Sequence, residues 1–252
     1  AFVEAGDHED VEAVRVSTVS GDVVLRPASG RDLVLQGRQR GELELERDGA
    51  RLRVQSVRGR VELRVPDGIE VEIETRSGDA DIEGRLAKLD FRTTSGDVRL
   101  RGRGEVVEVE TLSGDLDMGM AAGWMRVTTV SGDVDVTGRV KSAVVRTTSG
   151  EVEWRGETLP ARLELSSASG DVDLKGDLPA GALFRARSMS GDLRLTRLND
   201  QGFRLEAQTH SGKIRLPRGQ GGERGHVRVR IEGGGADLRL ESLSGSIHVR
   251  TR

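Results

Sequence analysis

The side chains in this sequence that could carry out chemistry are carboxylates, and they occur in two regularly spaced series. The first series follows a recurring Ser-Gly pair, as in "TTVSGDVDVTG", and the second lies two residues later. Rows of carboxylate oxygens suit Ca²⁺, and neighbouring carboxylates raise each other's pKa values. The pattern leaves open a weak surface Ca²⁺ ladder, and the alternative is a solvated face whose first series caps turns. The candidate ligands are Asp115, Asp117, Asp133, Asp135, Asp171 and Asp173.

Other reactive side chains show no useful arrangement. The sequence has no Cys, which excludes disulfides, thiolate metal sites and a cysteine nucleophile. No phosphate-binding loop or dinucleotide fingerprint occurs. We therefore predict no catalytic residue, no cofactor and no required metal. The histidines lack metal-binding spacing and are predicted to lie on the surface; they are His8, His210, His226 and His248.

The carboxylates belong to a repeat of 18 to 21 residues, which must position them. Each unit has a glycine after its serine, and these glycines are the predicted structural turns. The regular corners are Gly78, Gly96, Gly114, Gly132, Gly150, Gly170, Gly191 and Gly212. Further corners are predicted upstream at Gly21, Gly41 and Gly59, of which Gly41 and Gly59 lack the serine and the aspartate, and downstream at Gly245, with a partial unit around Gly225.

Small or apolar residues alternate with polar ones on both sides of each corner. This period of two predicts a strand, a corner and a second strand in every unit. The intervening positions are mostly Arg, Glu, Asp or Thr and are predicted to face water. The largest inward side chains are predicted to fill the core, and they are Trp154, Phe91 and Phe184.

Stacking of the units is the way for such a strand pair to bury its single apolar face. The unit is too short for a βαβ element, which needs about 30 residues. Parallel crossovers are right-handed in nearly all proteins. The predicted fold is all-β: a right-handed parallel β-helix, or β-solenoid, of about a dozen coils. We expect one domain over 1–252, with irregular coils in 1–76, regular coils in 77–217 and irregular coils in 218–252.

The T-x-S-G-D motif is interpreted first as a turn. Glycine supplies a positive φ, and the aspartate that follows can accept hydrogen bonds from N–H groups of the turn. The Thr and Ser of successive units are predicted to hydrogen-bond along the stack. The motif recurs because the coil recurs.

These residues resemble a family of bacterial β-strand repeat proteins of unknown function that are named putative adhesins. The shared features are the T-x-S-G-D-[VIL]-x-[VIL] unit and an opening phrase, here "LRVPDGIEVEIETRSGD" at 63–79. The resemblance covers about 11–250. It implies a β-solenoid located outside the cytoplasm, in the cell envelope or secreted, but it implies no reaction.

Two functions remain open at this point. The first is a non-catalytic structural or adhesive surface module that presents repetitive charged faces to a protein or an envelope polysaccharide. The alternative is a polysaccharide-active enzyme on a β-helix scaffold. Such enzymes carry long loops beside one face, and the only irregular stretch with room for one is 216–225.

Composition and charge bear on partners and location. Aromatic residues make up 2% of the chain and the net charge is −3, so no nucleic-acid partner is expected. No apolar run is long enough to span a membrane, and because the chain begins at Ala1 we expect that a leader or anchor was removed. The segment 182–252 is net basic and the preceding part is net acidic. Together with an expected open strand edge at "SGSIHVRTR", this suggests head-to-tail self-association.

Overall fold

The computed structural model describes residues 2–8, 10–30, 33–38, 43–197, 203–216, 221–231 and 235–251. Most of these residues lie in strands, and no helix occurs among them. Accordingly, the described ranges contain no helix that is long and apolar enough to cross a membrane. The chain forms two compact units, Ala1–Gly123 (unit 1) and Trp124–Arg252 (unit 2).

The strands of unit 1 follow the predicted alternation. They are β1 (Phe2–His8), β2 (Ala13–Ser20), β3 (Val23–Pro27), β4 (Leu33–Arg38), β5 (Leu43–Asp48), β6 (Arg51–Arg58), β7 (Arg60–Val65), β8 (Ile69–Ser77), β9 (Ala80–Ser95) and β10 (Val98–Ser113). The next strand, β11 (Leu116–Ser131), contains the boundary between the units.

The coils of unit 1 stack in parallel, but their order in space differs from their order in the sequence. β2 pairs with β6 on one side and with β8 on the other, and β3 pairs with β7 and β9 in the same way. The first coil of the sequence therefore lies between two later coils. From there the stack continues in sequence order through β8, β9 and β10.

Antiparallel strands cover the outer side of the coil formed by β6 and β7. β5 pairs with β6, while β4 pairs with β7 and with β1. The expected corner Gly41 lies outside the described residues. The strand that follows it, β5, is a covering strand and not part of a coil, which corrects the sequence-based assignment of that segment.

Unit 2 repeats this plan. After β11 its strands are β12 (Val134–Thr137), β13 (Val140–Thr147), β14 (Val152–Thr158), β15 (Arg162–Ser169), β16 (Val172–Asp177), β17 (Leu183–Ser190), β18 (Leu193–Arg197), β19 (Phe203–Arg215), β20 (Gly221–Ile231), β21 (Ala236–Ser244) and β22 (Ile247–Thr251). β13, β15 and β17 pair in parallel, and so do β12, β14, β16 and β18.

The last coils of unit 2 also exchange places. β21 lies between β17 and β19, and β22 pairs with β18 and with the end of β19. The strand edge that we expected to be open at "SGSIHVRTR" is therefore paired on both sides. β20 covers β19 as an antiparallel strand in which Gly225 lies opposite Gly212, so the expected corner at Gly225 is wrong.

The core is a thin layer between the inward faces of the two strands of each coil. In unit 1 a continuous row contains Val54, Val16, Ile73 and Phe91, all with 0% exposure. In unit 2, Trp154 has 0% exposure and Phe184 has 1%. The predicted core positions of all three large aromatic residues are confirmed.

A second glycine position, seven residues after the serine, recurs in several coils and was not predicted; Met120 and Arg197 occupy it in others. Gly84 and Gly102 stack there in unit 1, and a Cβ added to Gly102 would lie 2.0 Å from the Gly84 carbonyl oxygen. Gly138 and Gly176 have positive φ values of 123° and 158° at the same place in unit 2. A right-handed path for the closed coils stays a prediction.

Candidate functional site

The corner glycines form a ladder in which each backbone touches the next. A Cβ added to Gly96 would lie 2.2 Å from the Gly78 carbonyl oxygen, and one added to Gly114 would lie 2.1 Å from that of Gly96. Six of the regular corners combine this approach with a positive φ: Gly78 (128°), Gly96 (122°), Gly114 (124°), Gly150 (115°), Gly170 (119°) and Gly191 (123°). Gly132 also has a positive φ, 115°. Gly212 has no positive φ, but its added Cβ would still lie 2.0 Å from the Gly245 carbonyl oxygen.

The first acidic series links several neighbouring coils. A carboxylate oxygen of one coil accepts a hydrogen bond from the backbone N–H of the equivalent residue in the following coil. These bonds, N to Oδ1, are Asp97 to Asp79 (3.0 Å), Asp115 to Asp97 (3.0 Å), Glu151 to Asp133 (2.8 Å), Asp192 to Asp171 (2.9 Å) and Ser246 to Asp192 (2.8 Å). Each of these aspartates therefore caps the corner of the neighbouring coil, whereas the sequence predicted that it would cap the corner of its own coil.

Hydroxyl groups complete the corner. Thr147 Oγ1 donates to the Ser149 carbonyl within its own coil (2.9 Å), whereas Ser149 Oγ donates to the Val130 carbonyl (3.2 Å). The serines therefore hydrogen-bond along the stack. The threonines bond within their own coil, except Thr209, whose Oγ1 donates to the Gly245 carbonyl of the neighbouring coil (2.9 Å). In three adjacent coils serine replaces this threonine, and the buried hydroxyls have no hydrogen-bond partner among the described residues. They belong to Ser167, Ser188 and Ser242.

Arginines occupy much of the second acidic series. Both Arg101 terminal nitrogens bind Asp117, at 3.0 Å (Nη1–Oδ1) and 2.5 Å (Nη2–Oδ2). Arg155 forms an ion pair with Glu153. Asp135 and Asp173 lie beside Glu153 in register. No group of three or more metal-ligating side chains is assembled anywhere in the described part of the chain.

The pKa shifts in these rows have opposite directions. Burial raises the pKa of the Glu153 carboxyl, and Asp135 and Asp173 raise it further against the opposing effect of Arg155. Burial alone would also raise the pKa of Asp171, but the N–H of Asp192 and the Arg194 guanidinium outweigh it and lower that pKa. Two hydrogen-bond donors therefore already stabilise the ionised Asp171 carboxylate, and no bound cation is needed to explain its lowered pKa.

An exposed apolar column runs beside the corners, at the position directly before each serine. In unit 2 it contains Val130 (43% exposed), Ala168, Met189 (60%) and Leu243 (53%), and Met189 lies beside Leu243. We call these four residues the apolar column. The same position in unit 1 holds Val57 (56%), Val19 (47%) and Leu112 (53%). These residues are apolar exceptions to the predicted outward positions, which are mostly charged or Thr.

Each unit also has a shallow depression on the outward face of its first strands. The larger one, of about 680 Å³, lies in unit 2. Leu183, 48% exposed, lies in it beside Arg162 and Arg185. In unit 1 a depression of about 240 Å³ lies at the equivalent register and is lined by Arg15, Glu72 and other residues.

The repeated plan of the two units has a counterpart in the family comparison. The family model named Toastrack DUF4097 matches residues 6–122 and again 119–250. The chain belongs to the Toastrack DUF4097 family. The resemblance to a family of unknown function, based on T-x-S-G-D, is thereby confirmed. The two Toastrack matches follow the two compact units closely.

Solved structures with distant similarity are known from several bacteria. A putative adhesin from Bacteroides fragilis is 13% identical, with 100% of this chain and 97% of that chain covered and a TM-score of 0.45. One from Parabacteroides merdae is 10% identical, with 99% and 95% covered and a TM-score of 0.45. A putative cell adhesion protein from Clostridium sporogenes is 12% identical, with 100% of both chains covered and a TM-score of 0.23. No curated protein matches the chain.

The Toastrack coil places the candidate carboxylates in rows, and several of them already have partners. The Asp133 and Asp171 carboxylates each accept a backbone N–H from a neighbouring coil, and Asp117 binds Arg101. Asp115 donates its own backbone N–H to Asp97, while Asp135 and Asp173 lie beside Glu153. The apolar column was missed, although its residues stand at a fixed offset before each serine. Aligning the units on their serines would have revealed it.

The Asp171 carboxylate is expected to contribute measurably to the stability of the Toastrack fold. Asp171→Ala should lower the free energy of unfolding by about 1–3 kcal/mol at neutral pH, because the N–H of Asp192 and Arg194 lose their acceptor. Because the folded-state pKa is lowered, this stability is present above the unfolded-state pKa and is lost as the pH falls through the folded-state value. The difference between wild type and variant in urea unfolding should therefore be smaller at about pH 3 than at pH 7. Asp173→Ala is the matched control, within about 0.5 kcal/mol of wild type; equal losses in the two variants would contradict this role.

Proposed function

We propose that the protein is a non-catalytic adhesive or structural module, located outside the cytoplasm, that presents the outward faces of its coils to a partner. The observation that carries this proposal is the apolar column. The coil does not require apolar side chains there, because Thr148 and His210 hold the same position in other coils of unit 2. Thr148 separates Val130 from the rest, but Ala168, Met189 and Leu243 are neighbours along the stack. Contiguous exposed apolar surface commonly marks a contact site.

The surroundings of the apolar column fit a protein partner better than a polysaccharide. Met189 and Leu243 offer adjacent side chains that can enter a shallow apolar pocket, and a polar rim lies two residues away. That rim contains the ion pair between Arg187 Nε and Glu241 Oε2, at 2.9 Å. An apolar centre with a charged rim is the usual arrangement of a protein interface.

The carboxylates of the unit 2 depression support a non-catalytic function. Glycoside hydrolysis needs one carboxyl group with a raised pKa beside a second, ionised one. In the depression, Asp237 forms an ion pair with Arg204 (3.0 Å), and Glu164 lies 3.8 Å from Arg146. Glu153, whose pKa is raised, is not among the residues that line the depression.

The test is co-sedimentation of the purified protein with an envelope fraction from the source organism. Met189→Ser/Leu243→Ser should weaken binding at least about tenfold, since apolar anchors at the centre of an interface dominate its energy. Arg185→Ser/Arg239→Ser, on the same two strands within the depression, is the matched control and should bind like wild type.

Two outcomes would contradict the proposal. Wild-type protein that does not sediment with the envelope fraction would remove the adhesive function. Binding that survives Met189→Ser/Leu243→Ser but is lost in Arg185→Ser/Arg239→Ser would transfer recognition to the depression and favour an acidic polysaccharide.

A further inference from the structure

Two covering strands each leave one edge unpaired among the described residues. Within those residues β5 pairs only with β6, and β20 pairs only with β19. An unpaired edge accepts another strand unless its side chains prevent it. We propose that β5 of one molecule pairs with β20 of a second molecule, and that the protein self-associates through this contact.

The two edges carry opposite charges at alternate positions. In β5, Glu44, Glu46 and Asp48 are exposed. In β20 the alternate positions opposite Gln208 and Glu206 are Arg228 and Arg230. Residues at alternate positions of a strand share one face, so an acidic edge meets a basic one.

The register aligns these charges. Glu44 lies opposite Gln55, and Gln55 is four residues before the corner glycine Gly59. Arg228 lies opposite Gln208, which has the same place before Gly212. Both covering strands run antiparallel to the coil strands they cover. When the coils of the two molecules run in the same direction, β5 and β20 are therefore parallel, with Glu44 beside Arg228.

The next charged positions in the two strands also match. The same alignment places Glu46 of β5 beside Arg230 of β20. Glu46 already contacts Arg53 (2.8 Å), but both side chains are at least half exposed, and such pairs contribute little.

The intervening positions match in polarity. Leu45 lies opposite Val54, which is fully buried, yet Leu45 itself is 37% exposed because nothing described covers its outer side. Val229 occupies the corresponding position of β20, opposite the fully buried Ala207. Joining the edges would cover the exposed part of Leu45 and remove its apolar surface from water.

The charges also select against other pairings of these edges. Pairing β5 with a second β5 would bring carboxylates together, and pairing β20 with a second β20 would bring arginines together; like charges side by side oppose association. The contact uses different surfaces on the two molecules, so each molecule has both halves available. Assembly through such a heterologous contact can grow beyond a dimer.

Size-exclusion chromatography with light scattering tests the proposal. For wild type, the mass should rise with protein concentration at about 0.05 M salt and fall at about 0.5 M, because exposed charges are screened. Glu44→Lys/Glu46→Lys and, separately, Arg228→Glu/Arg230→Glu should require at least about tenfold higher concentration for association. Glu72→Lys/Glu74→Lys is the matched control: it makes the same charge change at the same register positions of β8, which is paired on both sides, and it too loses an arginine contact.

Restoring opposite charges across the contact distinguishes loss of the contact from misfolding of a variant. The chain carrying all four reversals, or an equimolar mixture of the two double variants, should associate again. Because the chain has no Cys, Glu44→Cys and Arg228→Cys variants mixed under oxidising conditions should also form a cross-linked dimer. Wild type that stays monomeric at every concentration and salt, or a Glu44→Lys/Glu46→Lys variant that associates like wild type, would overturn the proposal.

Discussion

Gly114→Ala is expected to destabilise the protein by about 3–5 kcal/mol, or to prevent folding. The added Cβ would lie 2.1 Å from the Gly96 carbonyl oxygen and 2.7 Å from its carbon. Both atoms belong to a backbone that is fixed by pairing on the neighbouring coil, so neither can move away cheaply. The positive φ of 124° adds strain for any residue with a side chain. Urea unfolding monitored by circular dichroism measures the loss.

Gly49→Ala separates backbone strain from the steric clash. Gly49 also has a positive φ, 58°, but a Cβ added to it would have no atom of another residue within 4 Å beyond its chain neighbours. The substitution should therefore cost only about 1–2 kcal/mol, which is the strain of a left-handed residue. If Gly114→Ala and Gly49→Ala destabilise equally, the close approach of the coils does not matter and the glycine ladder is not a packing feature.

Trp154→Ala should be the most damaging change in the core, at about 3–5 kcal/mol, because it leaves a cavity in a layer too thin to collapse around it. Trp154 is fully buried, and its neighbours in register are Val136 and Leu174. For a chain of this size the midpoint of thermal unfolding should fall by about 10 °C. Calorimetry measures the shift.

The second tryptophan provides the comparison. Trp124 is only partly buried, and its ring stacks with the Arg126 guanidinium at 5.0 Å. Trp124→Ala should cost about 1 kcal/mol, the typical value of an exposed contact between a cation and an aromatic ring. A Trp124→Ala shift as large as that of Trp154→Ala would show that the inward row does not dominate stability.

The repeating part of the fold could be predicted because its sequence carries both signals of a coil. Alternation gave the inward rows that contain Phe91, Trp154 and Phe184, and the serine-glycine pairs located the corners. The close approach of stacked glycines could not be predicted, because a distance between coils leaves no mark on residue spacing. Gly212 is an example. It has no positive φ, so the close approach of the next coil is what requires glycine there, but the sequence predicted only an ordinary turn.

The terminal parts of both units were misassigned for a different reason. β5 and β20 alternate apolar and charged residues just as coil strands do, and alternation reports which face is buried but not the direction of the neighbouring strand. The corner predicted at Gly225 is wrong for this reason, because β20 runs antiparallel to β19. The exchanged order of the coils is likewise invisible, since β2 carries the same pattern whether it begins the stack or lies inside it.

The exchanged order of the coils determines how each unit responds to mechanical load. Tension that reaches β22 from its C-terminal side acts on a strand bonded to β18 on one side and to β19 on the other. Such a strand must slide along both neighbours, so its hydrogen bonds share the load and cannot open one after another. An edge strand such as β5, which in the described part of the chain is bonded only to β6, can instead be peeled away bond by bond. Placing a late coil inside the stack therefore gives the C-terminal strand of unit 2 a shear-resistant attachment.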